Sequence, residues 1–144
     1  MAENRIEIAR ILVTIPALLL AVVPPLADFN ATHVTHPLWP SHARFHTVWL
    51  VCTNSLVALL ALALVWHRGR RSRRRAVLQG AALVGSILLG FFLALLAQSS
   101  YGGALTDPNG IPFQVGSLDA NLAVFSVCAA FVAAGVGLAW KPVD

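Results

Sequence analysis

The stretch Ala43–Gln98, ARFHTVWLVCTNSLVALLALALVW-HRGRRSRRR-AVLQGAALVGSILLGFFLALLAQ, decides the fold. Two apolar runs, Ala43–Trp66 and Ala76–Gln98, flank a short link that carries six arginines. At ~1.5 Å per helical residue each run reaches the ~30 Å hydrocarbon core of a bilayer. Short links rich in arginine stay on the cytoplasmic side, so the stretch predicts a membrane hairpin with its turn inside. Similar runs lie on either side, Ile8–Ala27 before it and Asp119–Trp140 after it. The 144 residues are 58% hydrophobic and 11% charged, against a charged fraction of about 25% in soluble domains. The expected fold is an all-α, integral membrane four-helix bundle in one transmembrane domain over residues 1–144, with spans at about 8–27, 43–66, 76–98 and 119–140.

Orientation follows from charge. Nine of the ten basic residues, Arg5, Arg10, Arg68, Arg70, Arg71, Arg73, Arg74, Arg75 and Lys141, fall on one side of this arrangement. Both termini are therefore expected in the cytoplasm, in a bacterial inner membrane or plasma membrane. Anionic lipid headgroups are the natural partners of the arginine link, and nucleic acid is not expected despite the net charge of +4. Pro24-Pro25 read as the end of the first span rather than as a signal-peptide cleavage region. Cys52 and Cys128 read as buried packing residues with no redox dithiol, and no nucleotide fingerprint occurs.

Close helix packing in lipid uses small residues. Ala82, Ser86, Gly90 and Ala94 on the third span, facing Ser126, Ala130 and Ala134 on the fourth with Ala129, Ala133 and Gly137 beside them, predict a tight antiparallel pair. The third-span stripe would equally serve a homo-oligomer. Asp107-Pro108-Asn109-Gly110 suits a type I turn in the outer loop between them.

Four of the five histidines fall in the stretch that joins the first span to the start of the second, Asp28-Phe-Asn-Ala-Thr-His-Val-Thr-His-Pro-Leu-Trp-Pro-Ser-His-Ala-Arg-Phe-His46. Either Pro40 takes the first helical position with Trp39 at the cap, or Ser41 is itself the N-cap; in both cases His42 and His46, four apart, share a face and can offer two nitrogens to one metal ion. His33 and, less securely, His36 can fold over that helix start. Zinc is the first choice of divalent metal for such a set, with iron or copper next. Arg44 stands on the outer side, in a first helical turn whose dipole disfavours cations, and needs compensation; Asp28 is the first candidate, ahead of Asp107 and Asp119. Asp119 and Asn121 open the fourth span, where a carboxylate suits the helix dipole. Asn30, Trp39, Thr53, Asn54, Gln98 and Asp119 are expected to line a polar pocket opening from the outer interface, and Asn30-Ala31-Thr32 is a glycosylation sequon. Glu7 and Arg10 can pair at the inner end of the first span.

The pattern Asp-x-Asn-x-Thr-His followed by Pro-x-Trp-Pro-x-His-Ala-Arg-Phe-His resembles a signature of small four-span membrane proteins of unknown function from bacteria and fungi. The resemblance covers Asp28 to His46 and marks Asp28, Asn30, Thr32, His33, Trp39, His42, Arg44 and His46. His36 stands where such relatives often have asparagine. It implies the fold and the location of a site, and no reaction.

The leading reading is an enzyme acting on a lipid-soluble small molecule, with Asp28, His46 and Arg44 as catalytic groups. It would be metal-dependent through His33, His42 and His46, or would use one histidine for proton transfer near neutral pH. The alternative is a non-catalytic accessory, metal-handling or pH-sensing protein that docks a membrane partner. Too few histidines, on the wrong side, argue against a membrane diiron hydroxylase. The lack of a charge at the bilayer midplane argues against a channel or proton-coupled transporter.

Overall fold

Runs of leucine, alanine and valine in lipid must satisfy every backbone N–H and C=O within the segment, and a helix does so without partners. The computed structural model describes residues 2–67, 73–105, 114–115 and 118–140. Its helices are α1 (Ala2–Asp28), α2 (Ser41–Trp66), α3 (Arg73–Ala97) and α4 (Ala120–Trp140), each long and apolar enough to cross a membrane. The chain is thus an all-α, four-helix integral membrane protein. A 3-10 turn at Gln98–Ser100 extends α3, and Gly102, at φ +68°, takes the left-handed conformation just after it. A two-residue antiparallel ladder, β1 (Gln114–Val115) with β2 (Leu118–Asp119), precedes α4. The expected turn at Asp107–Gly110 lies outside the described residues.

Helix boundaries differ from expectation in two places. α1 runs through Pro24 and Pro25 to Asp28, and Pro16 sits in its interior with its side chain fully buried. Neighbouring helices hold such a proline in place in a membrane helix. At the start of α2 Pro40 is itself the capping residue, with φ −56° and ψ 140° and no side-chain cap. Its carbonyl accepts the first helical bond, from the Arg44 N–H at 3.1 Å.

The helices form a ring in chain order, α1 to α2 to α3 to α4 and back to α1, with α1 and α3 meeting across the middle. Two glycines permit the closest approaches. A Cβ on Gly80 of α3 would meet the Val65 side chain and come within 3.2 Å of the Ala61 carbonyl oxygen of α2. A Cβ on Gly135 of α4 would lie 3.0 Å from Val13 Cγ2 and 3.2 Å from the Ala9 carbonyl oxygen of α1.

The expected small-residue stripe is corrected here. Ala82, Ser86, Gly90 and Ala94 are all exposed, and a Cβ on Gly90 would meet nothing. The face of α3 that packs is Val77, Gly80, Ala81, Val84 and Leu88, and that of α4 is Cys128, Val132, Gly135 and Ala139. Of the expected α4 residues, Ser126, Ala130, Ala133, Ala134 and Gly137 are exposed. Cys52 also faces outward, contrary to its expected burial, whereas Cys128 is buried. Large apolar side chains such as Ile11, Leu18, Leu56, Leu60, Leu89, Leu93 and Val127 are exposed around the bundle, as a lipid-facing surface requires.

Burial is uneven along the bundle. Buried residues cluster in Ile6–Leu20 of α1, Ala58–Val65 of α2, Ala76–Leu88 of α3 and Cys128–Ala139 of α4. These segments lie toward the arginine end and extend just past the midpoints of α1, α3 and α4. Closer to the histidine end Val51 is buried, Phe91 stacks on Phe125 with ring centroids 3.9 Å apart, and fewer of the described residues are buried.

Candidate site at the histidine end

The arginine end is tied across all four helices. Arg10 Nη1 lies 2.9 Å from both Glu7 carboxylate oxygens, its Nε donates to the Val65 carbonyl at 3.2 Å, and its guanidinium stacks 4.1 Å from the Trp66 ring centroid. Trp66 Nε1 donates to Thr14 Oγ1 at 2.8 Å, so α1 and α2 are joined twice. From α3, Arg73 Nη1 reaches Glu3 and Glu7 at 3.0 Å each. Arg74 donates to the α4 carbonyls of Ala139, at 2.8 Å, and Trp140, at 3.1 Å. Carbonyls at a helix C-terminus lack intrahelical partners, and arginine suits them in both charge and geometry. This junction was not anticipated beyond the Glu7–Arg10 pair. The signal for it was present, since the only two glutamates of the chain sit on the side of the arginine run.

The histidine segment is built differently. Asn30 organises its first half: Nδ2 donates to the Ala27 carbonyl at 2.7 Å, and Oδ1 accepts from the Thr32 N–H at 2.8 Å and the Thr32 hydroxyl at 2.6 Å. The backbone turns tightly over it, with the N–H groups of His33 and Thr35 donating to the Asn30 carbonyl and that of Val34 to Asp28. An oxygen pair at 2.6 Å requires the Thr32 proton between them, because the amide oxygen carries none. His33 Nδ1, 2.8 Å from the same hydroxyl, must then be the donor. The chain His33 Nδ1–H to Thr32 to Asn30 fixes the ring and directs Nε2 away from it. Trp39 packs edge-on against the His33 ring at 5.8 Å between centroids, and the half-buried Asp28 carboxylate lies within electrostatic reach of the ring.

Arg44 finds a different partner from the expected Asp28. Its Nε donates to the Trp39 carbonyl at 3.0 Å, and its Nη2 donates to the carbonyls of His36 at 2.6 Å and Pro37 at 3.3 Å. Those carbonyls face the start of α2 because Pro37 and Pro40 hold the segment in turns, so the guanidinium folds back and clamps it. His36 Nδ1 accepts the Leu38 N–H at 3.2 Å and is occupied within the same turn.

His42 and His46 do meet. Their Nε2 atoms are 3.1 Å apart and the rings are nearly perpendicular, at 83°, on the exposed first turns of α2. Phe45 and Trp49 lie against the His46 ring, at 6.0 and 5.8 Å. Among the described residues no three His, Cys, Asp or Glu side chains converge on one point, so the expected three-histidine set divides into this pair and a separate His33. The expected pocket residues scatter as well. Thr53 is exposed, Asn54 is half-buried, and Gln98 joins Phe91, Leu95, Tyr101 and Leu105 around a small hollow at the end of α3. Asp119 Oδ1 accepts the Asn121 N–H at 2.8 Å, capping α4.

Comparison with protein families matches residues 12–141 to one model. The chain belongs to DUF6640, a family of unknown function. The family match runs through all four helices, beyond the Asp28–His46 stretch that carried the resemblance in the sequence. No curated protein and no solved structure gives a match.

Proposed function

We propose that the protein is an enzyme acting by proton transfer on a lipid-soluble small molecule at the extracytoplasmic end of the bundle, with His33 as the base. The observation that carries this reading is the chain Asn30–Thr32–His33, which holds His33 Nδ1 as a donor and leaves Nε2 to take a proton. A base needs a fixed tautomer, which this chain supplies, and the Asp28 carboxylate interacts with the ring electrostatically. Arg44 is a positioning residue in this scheme, since its guanidinium is spent on carbonyls of the segment that presents Trp39 to His33. The lesser burial toward the same end of the bundle supports access from lipid between the helices. Isomerisation or cyclisation of an apolar substrate is the class of reaction that such a site performs.

The test is untargeted lipid profiling of membranes carrying the wild type, His33→Gln or Asp28→Asn. One apolar species should accumulate in both variants and be converted by the wild type. Identical profiles from folded variants would remove the catalytic reading. A docking role is favoured by one observation, the exposed Phe45 and Trp49 beside His46, 64% and 59% accessible. Crosslinking from position 45 to a second membrane protein would then replace a lipid change as the phenotype.

A further inference from the structure

We infer that His42 and His46 form a binding site for one borderline divalent transition ion, of the imidazole-preferring class of zinc, copper(II) and nickel, separate from the proposed base His33. Both rings project from the outer face of α2, four residues and one turn apart, and their Nε2 atoms converge to 3.1 Å. Two nitrogens bound at ~2.0–2.1 Å to a tetrahedral ion stand about 3.3 Å apart, so the Nε2 separation is already close to that of a chelate, and turning the rings brings both lone pairs onto one ion. Without an ion the short contact requires one Nε2–H donor and one lone pair, and the ion replaces that proton.

The surroundings fit the same reading. Phe45 and Trp49 flank His46 and restrict its ring, which lowers the cost of holding it in the chelating orientation. The rings are exposed, so an ion reaches them without opening the bundle. The N-terminal dipole of α2 opposes a cation, weakening binding by about two- to five-fold. That is less than a second imidazole adds. With no third His, Cys, Asp or Glu side chain converging there among the described residues, the remaining positions on the ion face solvent or the membrane surface. Such an open site binds an oxygen ligand and polarises it. Magnesium and calcium, which prefer oxygen donors, should be rejected.

The experiment uses the full chain in detergent without a histidine tag, with copper(II) as the probe. Titration calorimetry should give one ion per chain, and electron paramagnetic resonance should show hyperfine coupling to two imidazole nitrogens. His42→Ala and His46→Ala should each weaken binding at least about tenfold and reduce the coupling to one nitrogen. His33→Ala should bind as the wild type does, which separates this site from the proposed base. Both substituted residues are exposed, and helical circular dichroism verifies that the variants are folded. Unchanged binding in His42→Ala or His46→Ala, loss of binding in folded His33→Ala, or no binding by the wild type would overturn the assignment.

Discussion

Replacing Arg44 by methionine keeps most of the stem and removes the guanidinium that holds the segment His36–Trp39. The two shorter bonds, at 2.6 Å to His36 and 3.0 Å to Trp39, are charge-assisted, and the third, at 3.3 Å to Pro37, is long and exposed. A hydrogen bond to a charged group contributes about 1.5–3 kcal/mol, and Arg44 is half-exposed, so the two together are discounted to about 2–3 kcal/mol. This cost falls on the local opening of the segment rather than on unfolding of the bundle. Hydrogen exchange at the Trp39 amide, which donates to the His36 carbonyl, should accelerate by about 30- to 150-fold. Asp28→Asn should change it by less than twofold. A double variant should behave as Arg44→Met alone, with a coupling between the two sites below about 0.5 kcal/mol. If Asp28→Asn accelerates exchange as much as Arg44→Met, and the double variant is no worse than either, the two residues form an ion pair and the carbonyl clamp is refuted.

Three further outcomes are expected. Gly135→Ala should lower stability in detergent by about 1–3 kcal/mol by pressing a methyl group on Val13 and the Ala9 carbonyl, while Gly90→Ala, which meets nothing, should be neutral or slightly stabilising in the same thermal assay. Glu7→Gln should cost about 1–2 kcal/mol, since it strips a carboxylate from Arg10, whose side chain is 11% exposed; Glu3→Gln, at a side chain 79% exposed, should cost under about 0.5 kcal/mol, and equal effects would contradict the geometry. A membrane-impermeant maleimide applied to intact cells should label Ser99→Cys and not His67→Cys; the reverse pattern would invert the proposed orientation.

The four spans were legible because bilayer thickness is an absolute ruler: twenty or more apolar residues have one stable arrangement in lipid. Their rotation was not. Ala82, Ser86 and Gly90 repeat every four residues, as do the buried Gly80, Val84 and Leu88, and small residues serve a lipid-facing surface as readily as an interface. Gly80 and Gly135 decide the packing, yet nothing in their local sequence distinguishes them from Gly90 and Gly137; only the partner helix does. At the histidine segment the i, i+4 relation of His42 and His46 was readable, because helix geometry alone produces it. The separation of His33 from that pair depends on how Asn30 and the prolines turn the chain. Arg44 was assigned to Asp28 because a cation suggests an anion, whereas a turn held by two prolines offers carbonyls that need a donor just as much.

The two ends of the bundle differ in a way that bears on where chemistry can occur. At the arginine end, side-chain bonds join residues at least 52 apart in sequence and link α1 to α2 and α3, and α3 to α4. Among the described residues, the side-chain bonds of the histidine segment span no more than eight residues. Burial follows the same gradient, and both close-approach glycines lie in the tied half. In lipid no hydrophobic gain draws helices together, so the close-approach glycines and cross-helix bonds of the arginine end do more to hold the bundle than the contacts of the histidine end do among the described residues. The histidine segment is ordered from within, by the bonds of Asn30 and Arg44. On the proposed reading, an apolar molecule would approach His33 from the membrane through this less tied end. The same division separates the consequences of damage: substitutions at Gly80, Gly135 or Glu7 should act on assembly, and those at His33, Asp28 or His42 on whatever the assembled protein does.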